Sequence, residues 1–142
     1  MNWLKCEKII NNVENNGDKL VIKSNLLEVI ETIKNNYHFD ILKQIIAVDN
    51  KENGIELIYH LYNNEDDENL YLSIITNNEI ESISKIFDSA IADEKEIYDL
   101  FGIKFIGNNE LKRLYMPNSW KGNPLKKDYT ENDARLNWNE KA

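Results

Sequence analysis

Four carboxylates fall close together in the second half of the chain: Asp93, Glu94, Glu96 and Asp99. On a helix, residues 93, 96 and 99 are three positions apart and therefore share roughly one edge. Carboxylates in such proximity can exchange protons in acid–base catalysis, or can hold a divalent cation through their oxygens. A solvated helix edge is the ordinary reading of the same pattern, so these carboxylates alone do not establish any chemistry.

A third reading joins this edge to basic residues further along the chain. Arg113, Lys126 and Lys127 follow within a segment that also holds Trp120 and Tyr129. Ion pairs at a protein surface contribute only about 0–1 kcal/mol each. They would therefore fix the register of the segment, while the two aromatic side chains would supply apolar contact area. This pairing fits the chain better than either alternative.

The remaining reactive side chains do not form a recognisable catalytic set. His60 lies in the middle of a predicted strand, where a packing or hydrogen-bonding role is expected, and the single cysteine, Cys6, is expected to be a packing residue. A catalytic reading would combine His60 with Glu94, Glu96 or Asp99, but no nucleophile with an orienting acid accompanies them. The chain has five glycines and no phosphate-binding loop or dinucleotide fingerprint. We therefore predict no catalytic, cofactor or metal site.

Length and charge narrow the classes of function. A chain of 142 residues has room for one domain with one hydrophobic core. Its 25 acidic and 17 basic residues give a net charge of -8, which argues against nucleic acid or an anionic membrane surface as the direct partner. Residues 1–103 carry 9 basic and 20 acidic groups, a net of -11, whereas residues 104–142 carry 8 and 5, a net of +3. No apolar run approaches the roughly 20 residues that span a bilayer, so we predict a cytoplasmic chain without membrane insertion.

Hydrophobic periodicity predicts the elements that position these side chains. Helical spacing of apolar residues runs through residues 1–16, and a short apolar strand follows at residues 20–22. Ser24 is a candidate N-cap for a helix whose apolar face ends near Ile33. Alternating and apolar runs then predict three strands, with a polar hairpin loop between the last two, at about 41–48, 54–62 and 69–76.

The second half of the chain is predicted to hold one further helical block and an irregular arm. The block begins near Ser82, bends near Ala92–Glu94 and stops at Gly102. The predicted fold class is α+β, a two-layer domain with a mixed, largely antiparallel sheet and helices on one face. Residues 1–105 would form its body, and residues 106–142 an extended, basic docking arm.

The stretch that holds the carboxylates also carries a family resemblance. It is similar to the signature of the 30-kDa subunit family of respiratory complex I, which is shared with the matching small subunit of energy-converting, membrane-bound nickel–iron hydrogenases. The likeness lies in five consecutive pieces: Glu94–Gly107, Leu111–Pro117, Trp120, Gly122 and Pro124–Tyr129. Ile58–Leu61 resembles the family's central strand, so a weaker likeness spans most of the chain.

The sequence departs from the family pattern at several positions. Asparagine stands in place of histidine at Asn108 and Asn123, Asn109 replaces a proline, and Ala92 replaces an aromatic residue. Lysine stands in place of arginine at three positions: Lys95, Lys112 and Lys126. Lysine keeps the charge of arginine but not its bidentate fork.

The resemblance implies a chain without a cofactor or a reaction of its own, which docks other subunits of a membrane-bound redox complex. The implied partners are the large catalytic subunit, either the hydrogenase large subunit or the 49-kDa-type quinone-site subunit, and the iron–sulfur small subunit. The implied location is cytoplasmic, peripheral on the inner face of the cell membrane through the complex. The residues implied in docking are Glu94, Glu96, Tyr98, Asp99, Gly102, Gly107, Lys112, Arg113, Pro117, Trp120, Gly122, Pro124, Lys126, Lys127, Asp128 and Tyr129.

Two complexes are compatible with this resemblance. The chain is short and ends soon after Tyr129, whereas complex I members usually run longer. On that ground an energy-converting hydrogenase is preferred, and the C-type subunit of a complex I-type NADH-quinone oxidoreductase is the alternative.

Overall fold

The computed structural model describes residues 11–17, 19–113, 115–117, 119 and 122–126. These residues form an α+β fold, which confirms the predicted class. A one-turn 3-10 helix, Lys51–Asn53, interrupts the connection between the third and fourth strands. In chain order the elements are β1 (Val13–Asn15), β2 (Leu20–Ile22), α1 (Leu26–Tyr37), β3 (Ile41–Asp49), β4 (Ile55–Asn63), β5 (Glu68–Thr76), β6 (Glu79–Glu81), α2 (Ala90–Phe101) and β7 (Lys104–Ile106).

The main sheet has five strands in the order β1-β2-β5-β4-β3. Strands β3, β4 and β5 form an antiparallel meander in which Tyr59 lies between Ile45 and Leu72. Strand β2 is antiparallel to β1 but parallel to β5, so the sheet is mixed and largely antiparallel, as predicted. Strands β6 and β7 pair in parallel as a second, two-stranded sheet.

The core lies on one face of the main sheet. Alternation along β4 turns Ile55, Leu57, Tyr59 and Leu61 to that face, and all four are buried. Apolar side chains of both helices belong to the same core cluster: Leu26, Val29, Ile30 and Ile33 from α1, and Ala90 and Ile97 from α2. The buried apolar area of this single cluster is the main stabilising contribution to the fold.

The free edge of the sheet at β3 is covered by α2. The backbone N–H of Ile45 donates to Asp93 Oδ2 over 3.1 Å, and Ser89 Oγ donates to the carbonyl oxygen of Leu42 over 3.3 Å. An uncovered edge strand offers unpaired backbone groups to other chains. Asp93 and Ser89 satisfy two of these groups, so the first carboxylate of the acidic stretch has a structural role.

The predicted N-terminal elements need correction. Val13–Asn15 is a strand, not the end of a helix through residues 1–16, and residues 1–10 lie outside the described part of the chain. Ser24 does not cap α1, because its hydroxyl donates to Asn12 Oδ1 over 2.6 Å. The N-cap position is Asn25, which adopts a left-handed conformation with φ 55°.

The second helical block is also shorter than predicted. Helix α2 begins at Ala90 rather than near Ser82, and residues 84–86 and 88–89 are turns. Ile83 and Phe87 are nevertheless buried, so these turns deliver apolar side chains to the core at the spacing of a helix. Gly102 ends the helix with φ 80°, as predicted. Strands β6 and β7 were not predicted, because they are as short as β2 but lack its uninterrupted run of apolar residues.

Neither helix of the described residues is long and apolar enough to cross a membrane.

The first testable prediction concerns Tyr59, which is fully buried in the middle of strand β4. Among the described residues, its Oη is the buried side-chain polar atom that has no hydrogen-bond partner. Burial raises the pKa of this hydroxyl, and the nearby charge of Glu94 raises it further. Since an unsatisfied buried polar group costs roughly 1–3 kcal/mol, we expect Tyr59→Phe to raise the free energy of unfolding by about 1 kcal/mol, measured by urea denaturation.

Tyr59→Leu is the matched control, because it also removes the hydroxyl but leaves a cavity. We expect this variant to lower the free energy of unfolding by about 2–4 kcal/mol. A loss of stability in Tyr59→Phe would show that the hydroxyl is bonded in the folded protein.

Candidate docking site

The acidic stretch of α2 is not a single site. Asp93 accepts a hydrogen bond from β3, and Asp99 accepts one from the C-terminal segment. Glu94 points into the body beside β6 and β7. Glu96 is exposed. Successive residues of a helix are separated by about 100°, so neighbouring carboxylates face different surroundings. The structure therefore does not bring these residues together as an acid–base pair or a cation site.

Glu94 joins the two short strands. It is fully buried and accepts from Ser82 Oγ at 2.6 Å, from the N–H of Ile83 at 3.0 Å and from Asn108 Nδ2 at 2.9 Å. Ser82 follows β6 directly, and Asn108 lies two residues after β7. Asn108, which stands where the family usually has histidine, thus supplies a side-chain donor to the buried carboxylate.

The surroundings of Glu94 act on its pKa in opposite directions. Burial raises the pKa above its ordinary value, whereas the hydrogen bonds from Ser82, Ile83 and Asn108 lower it, and the nearby charge of Asp93 raises it. Burial prevails, so the net shift is upward. The three donors compensate only part of the cost of placing a carboxylate inside the protein.

Asp99 binds the C-terminal segment. Its side chain is fully buried, and Oδ1 lies 2.9 Å from Arg113 Nη1. Oδ2 accepts from the backbone N–H groups of Tyr115 at 2.7 Å and Met116 at 2.9 Å. Both carboxylate oxygens are therefore used by residues that lie well beyond the end of the helix in the chain. We name the described residues 111–113, 115–117, 119 and 122–126 the C-terminal strap.

Arg113 connects two parts of this strap. Its Nη1 also donates to the carbonyl oxygen of Asp99 at 3.1 Å, and its Nη2 donates to the carbonyl oxygen of Gly122 at 2.9 Å. The Arg113 side chain is 16% exposed. Arginine suits this position because its planar fork can serve two acceptors at once.

The strap also satisfies the carbonyl groups at the end of α2. Asn123 Nδ2 donates to the carbonyl oxygen of Asp99 at 3.0 Å, and the N–H of Leu125 donates to that of Leu100 at 2.9 Å. The last carbonyls of a helix have no partner within the helix. A Cβ at Gly102 would lie 2.5 Å from Asn123 Oδ1, so glycine is needed here both for its positive φ and for the close approach.

The predicted pairing of the acidic helix edge with basic residues is confirmed for Asp99 and Arg113. Lys126 instead lines a cavity of about 490 Å³ with residues of the β3–β4 connection, including Lys51 and Glu52. Besides Lys126, five predicted docking positions lie in the strap and are exposed or partly exposed: Lys112, Arg113, Pro117, Gly122 and Pro124. Four lie outside the described residues: Trp120, Lys127, Asp128 and Tyr129.

The predicted helix positions have varied surroundings. Tyr98 is half-buried, and its carbonyl oxygen accepts from Asn123 Nδ2 at 3.4 Å and from the N–H of Gly102 at 3.0 Å. Gly107 adopts φ 102° in the turn after β7. The docking role of all these positions stays a prediction.

His60 lies away from the carboxylates. It is on the sheet face opposite to Tyr59, where its ring stacks on Tyr71 with centroids 4.4 Å apart and its Nε2 lies 2.8 Å from Asn69 Oδ1. The structure therefore does not combine His60 with Glu94 or Asp99. Among the described residues, no group of three or more His, Cys, Asp and Glu could hold a metal ion.

Several residues of the site were not predicted. Ser82 and Asn123 contribute side-chain donors, and Ile83, Tyr115 and Met116 contribute backbone N–H groups. Backbone donors cannot be predicted from residue type, because every residue except proline has a backbone N–H group. The two side chains had no spacing that would single them out.

The fold and site define a small α+β domain in which one helix carries two buried carboxylates that hold other segments of the chain. Residues 20–135 match the family described as the 30-kDa subunit of respiratory-chain NADH dehydrogenase. The chain belongs to this family, as its signature predicted.

Three similar proteins are named as subunits of NADH-quinone oxidoreductase. The chain is 36% identical over 110 residues to the C/D-type subunit of NADH-quinone oxidoreductase from Phocaeicola vulgatus, covering 75% of this chain and 21% of that protein. It is 32% identical over 114 residues to the C-type subunit from Citrifermentans bemidjiense, covering 77% and 71%. It is 32% identical over 108 residues to the C-type subunit from Moorella thermoacetica, covering 73% of each. The chain thus spans about a fifth of the length of the C/D-type relative. These relatives favour the complex I-type alternative over the hydrogenase preferred from chain length.

The second prediction follows from the raised pKa of Glu94. Between the unfolded and folded pKa values, the folded protein binds the proton more tightly, so stability falls as pH rises through this window. The window opens near 4.5, the ordinary pKa, and extends upward. We expect the wild type to lose stability relative to Glu94→Gln as pH rises from this value. The measurement is the free energy of unfolding of both proteins, determined by denaturation at a series of pH values, and the difference between wild type and variant should decrease.

Glu96→Gln is the matched control, because Glu96 is exposed on the same helix. The difference in unfolding free energy between the wild type and Glu96→Gln should change little over the same pH range. A pH-independent difference for Glu94→Gln would contradict the raised pKa.

Proposed function

We propose that this chain is a non-catalytic structural subunit in the hydrophilic arm of a complex I-type NADH-quinone oxidoreductase. It docks the large quinone-site subunit and an iron–sulfur subunit. The complex would place it on the cytoplasmic side, peripheral to the inner face of the cell membrane. Membership of an energy-converting hydrogenase is the second candidate, because the family is shared between the two complexes.

The observation that carries this proposal is that Glu94 and Asp99 bind other segments of their own chain. Both belong to the family signature, and both are buried and hydrogen-bonded to other segments of the same chain. A catalytic carboxylate needs access to a substrate. A carboxylate that holds a segment in place instead favours a role in presenting a surface.

The names of the relatives support a particular partner. The C/D-type proteins combine two subunit names in one polypeptide, and this chain matches about a fifth of it. Two subunits joined in one chain are held close together at high effective concentration. We infer that a D-type large subunit is the direct partner of this chain.

The division of charge supports docking through the end of the chain. Residues 1–103 have a net charge of -11 and residues 104–142 a net of +3. We propose that residues 1–105 form the body and residues 106–142 the docking arm, with the signature residues from Gly107 to Tyr129 as its contact region.

Affinity purification of the tagged chain from its native host in mild detergent tests this function. We expect a D-type large subunit of an NADH-quinone oxidoreductase to copurify. Recovery of a hydrogenase large subunit would favour the second candidate, and recovery of the chain alone would reject both.

The third prediction concerns Lys126→Glu. Reversal of this charge in the arm should reduce the recovered large subunit several-fold, since rim charges affect association mainly by steering, and thermal unfolding should stay unchanged. Lys85→Glu, at an exposed lysine of the body, is the matched control and should leave recovery unchanged. Equal recovery with both variants would argue against docking through the arm.

A further inference from the structure

We propose that Tyr115 and Leu125 form a docking surface that is already assembled in the free chain, and that its occupant is a protein surface with an apolar cleft flanked by carboxylates. This inference rests on the proposed function. It names the residues that make the contact. It also assigns Asp99 as a positioning residue that holds the strap in place before the partner binds.

The backbone of both residues is fixed to the same helix end. The N–H of Tyr115 donates to Asp99 Oδ2, and the N–H of Leu125 donates to the carbonyl oxygen of Leu100. Both residues are therefore attached to the last turn of α2. Arg113 and Asn123, which also bind Asp99, secure the chain beside each of them.

The side chains of the two residues face outward. Tyr115 is 64% exposed and Leu125 is 53% exposed. A segment that served only to close the end of α2 would gain stability by turning such large apolar side chains inward. Here the backbone is bound while the side chains are presented to solvent. Tyrosine is also enriched among the residues that contribute most to protein interfaces.

The charge around this pair indicates the partner. Residues 111–126 contain four basic residues and no acidic residue. Arg113 is neutralised by Asp99, whereas Lys112 is exposed and Lys126 is partly exposed. Lysines beside an apolar pair favour a partner that places carboxylates around an apolar cleft. The acidic body of a second copy is the competing occupant.

Preassembly has a physical advantage. Association must offset the ordering of side chains and loops at the interface, and a segment that is already ordered loses less freedom. Weakening the contacts of Asp99 should therefore reduce affinity although Asp99 is buried and does not touch the partner.

The first experiment measures amide hydrogen exchange in the free, full-length chain. We expect the amides of Tyr115, Met116 and Leu125 to be protected, and Asp99→Asn to accelerate exchange at Tyr115 and Met116 at least about tenfold. Glu96→Gln, on the exposed side of the same helix, should leave them protected. Continued protection of Tyr59 in β4 would show that each variant is folded. Unprotected strap amides in the wild type would overturn preassembly.

The second experiment measures binding of the full-length chain to the purified D-type large subunit. We expect the double variant Tyr115→Ala/Leu125→Ala to lower affinity about thirtyfold or more. Ile75→Ala is the matched control, because Ile75 is also 53% exposed but lies on the outer sheet face, and its affinity should be unchanged. Asp99→Asn should lower affinity without removing either contact side chain.

The outcomes separate this inference from the proposed function. If the wild type binds the large subunit and the double variant binds equally well, Tyr115 and Leu125 are not the docking surface. If the wild type does not bind at all, the proposed function fails. Concentration-dependent dimerisation that the double variant abolishes, measured by sedimentation, would assign the surface to a second copy and overturn the partner proposed here.

Discussion

The buried carboxylate of Asp99 is the constraint on which the end of the structure depends. A charge without solvent access must be paired and hydrogen-bonded, and breaking a buried pair costs about 3–5 kcal/mol. Arg113 supplies the charge, and the N–H groups of Tyr115 and Met116 complete the shell. These donors come from a segment without regular secondary structure. The course of that segment is therefore set by the needs of one side chain on α2.

Glu94, in the first half of α2, is a second buried carboxylate that collects its own hydrogen-bond donors. It collects donors from Ser82, Ile83 and Asn108, which flank two strands that are only three residues long. Such strands contribute little pairing energy of their own, so their position relies on this shared acceptor. Helix α2 thus holds both the small sheet and the strap, and a rotation of the helix would disturb both. We infer that this is why two carboxylates of one signature lie on one helix.

The sequence was informative where a regular pattern ran for many residues. The alternation of Ile55, Leu57, Tyr59 and Leu61 predicted β4 and its buried face, and the position of Gly102 predicted the end of α2. It was uninformative where turns place apolar residues at helical spacing, as at Ile83 and Phe87. It was also uninformative for β6 and β7, where a three-residue strand has no continuous apolar run. The site was predicted in part: charge suggested the pairing of Asp99 with Arg113, but the backbone donors at Tyr115 and Met116 have no signature.

Where lysine replaces arginine, attraction by charge and fixing of orientation become separate contributions to docking in the proposed complex. Arg113 keeps the fork and uses it within the chain, on Asp99 and Gly122. Lys112 and Lys126 stand where the family usually has arginine, so the outward charge remains but the bidentate geometry does not. Charges of this kind attract a partner over distance without fixing its orientation. Orientation must then come from shape, which requires apolar side chains on a backbone that is hydrogen-bonded to the rest of the fold. Tyr115 and Leu125 meet that requirement because their N–H groups are attached to the end of α2.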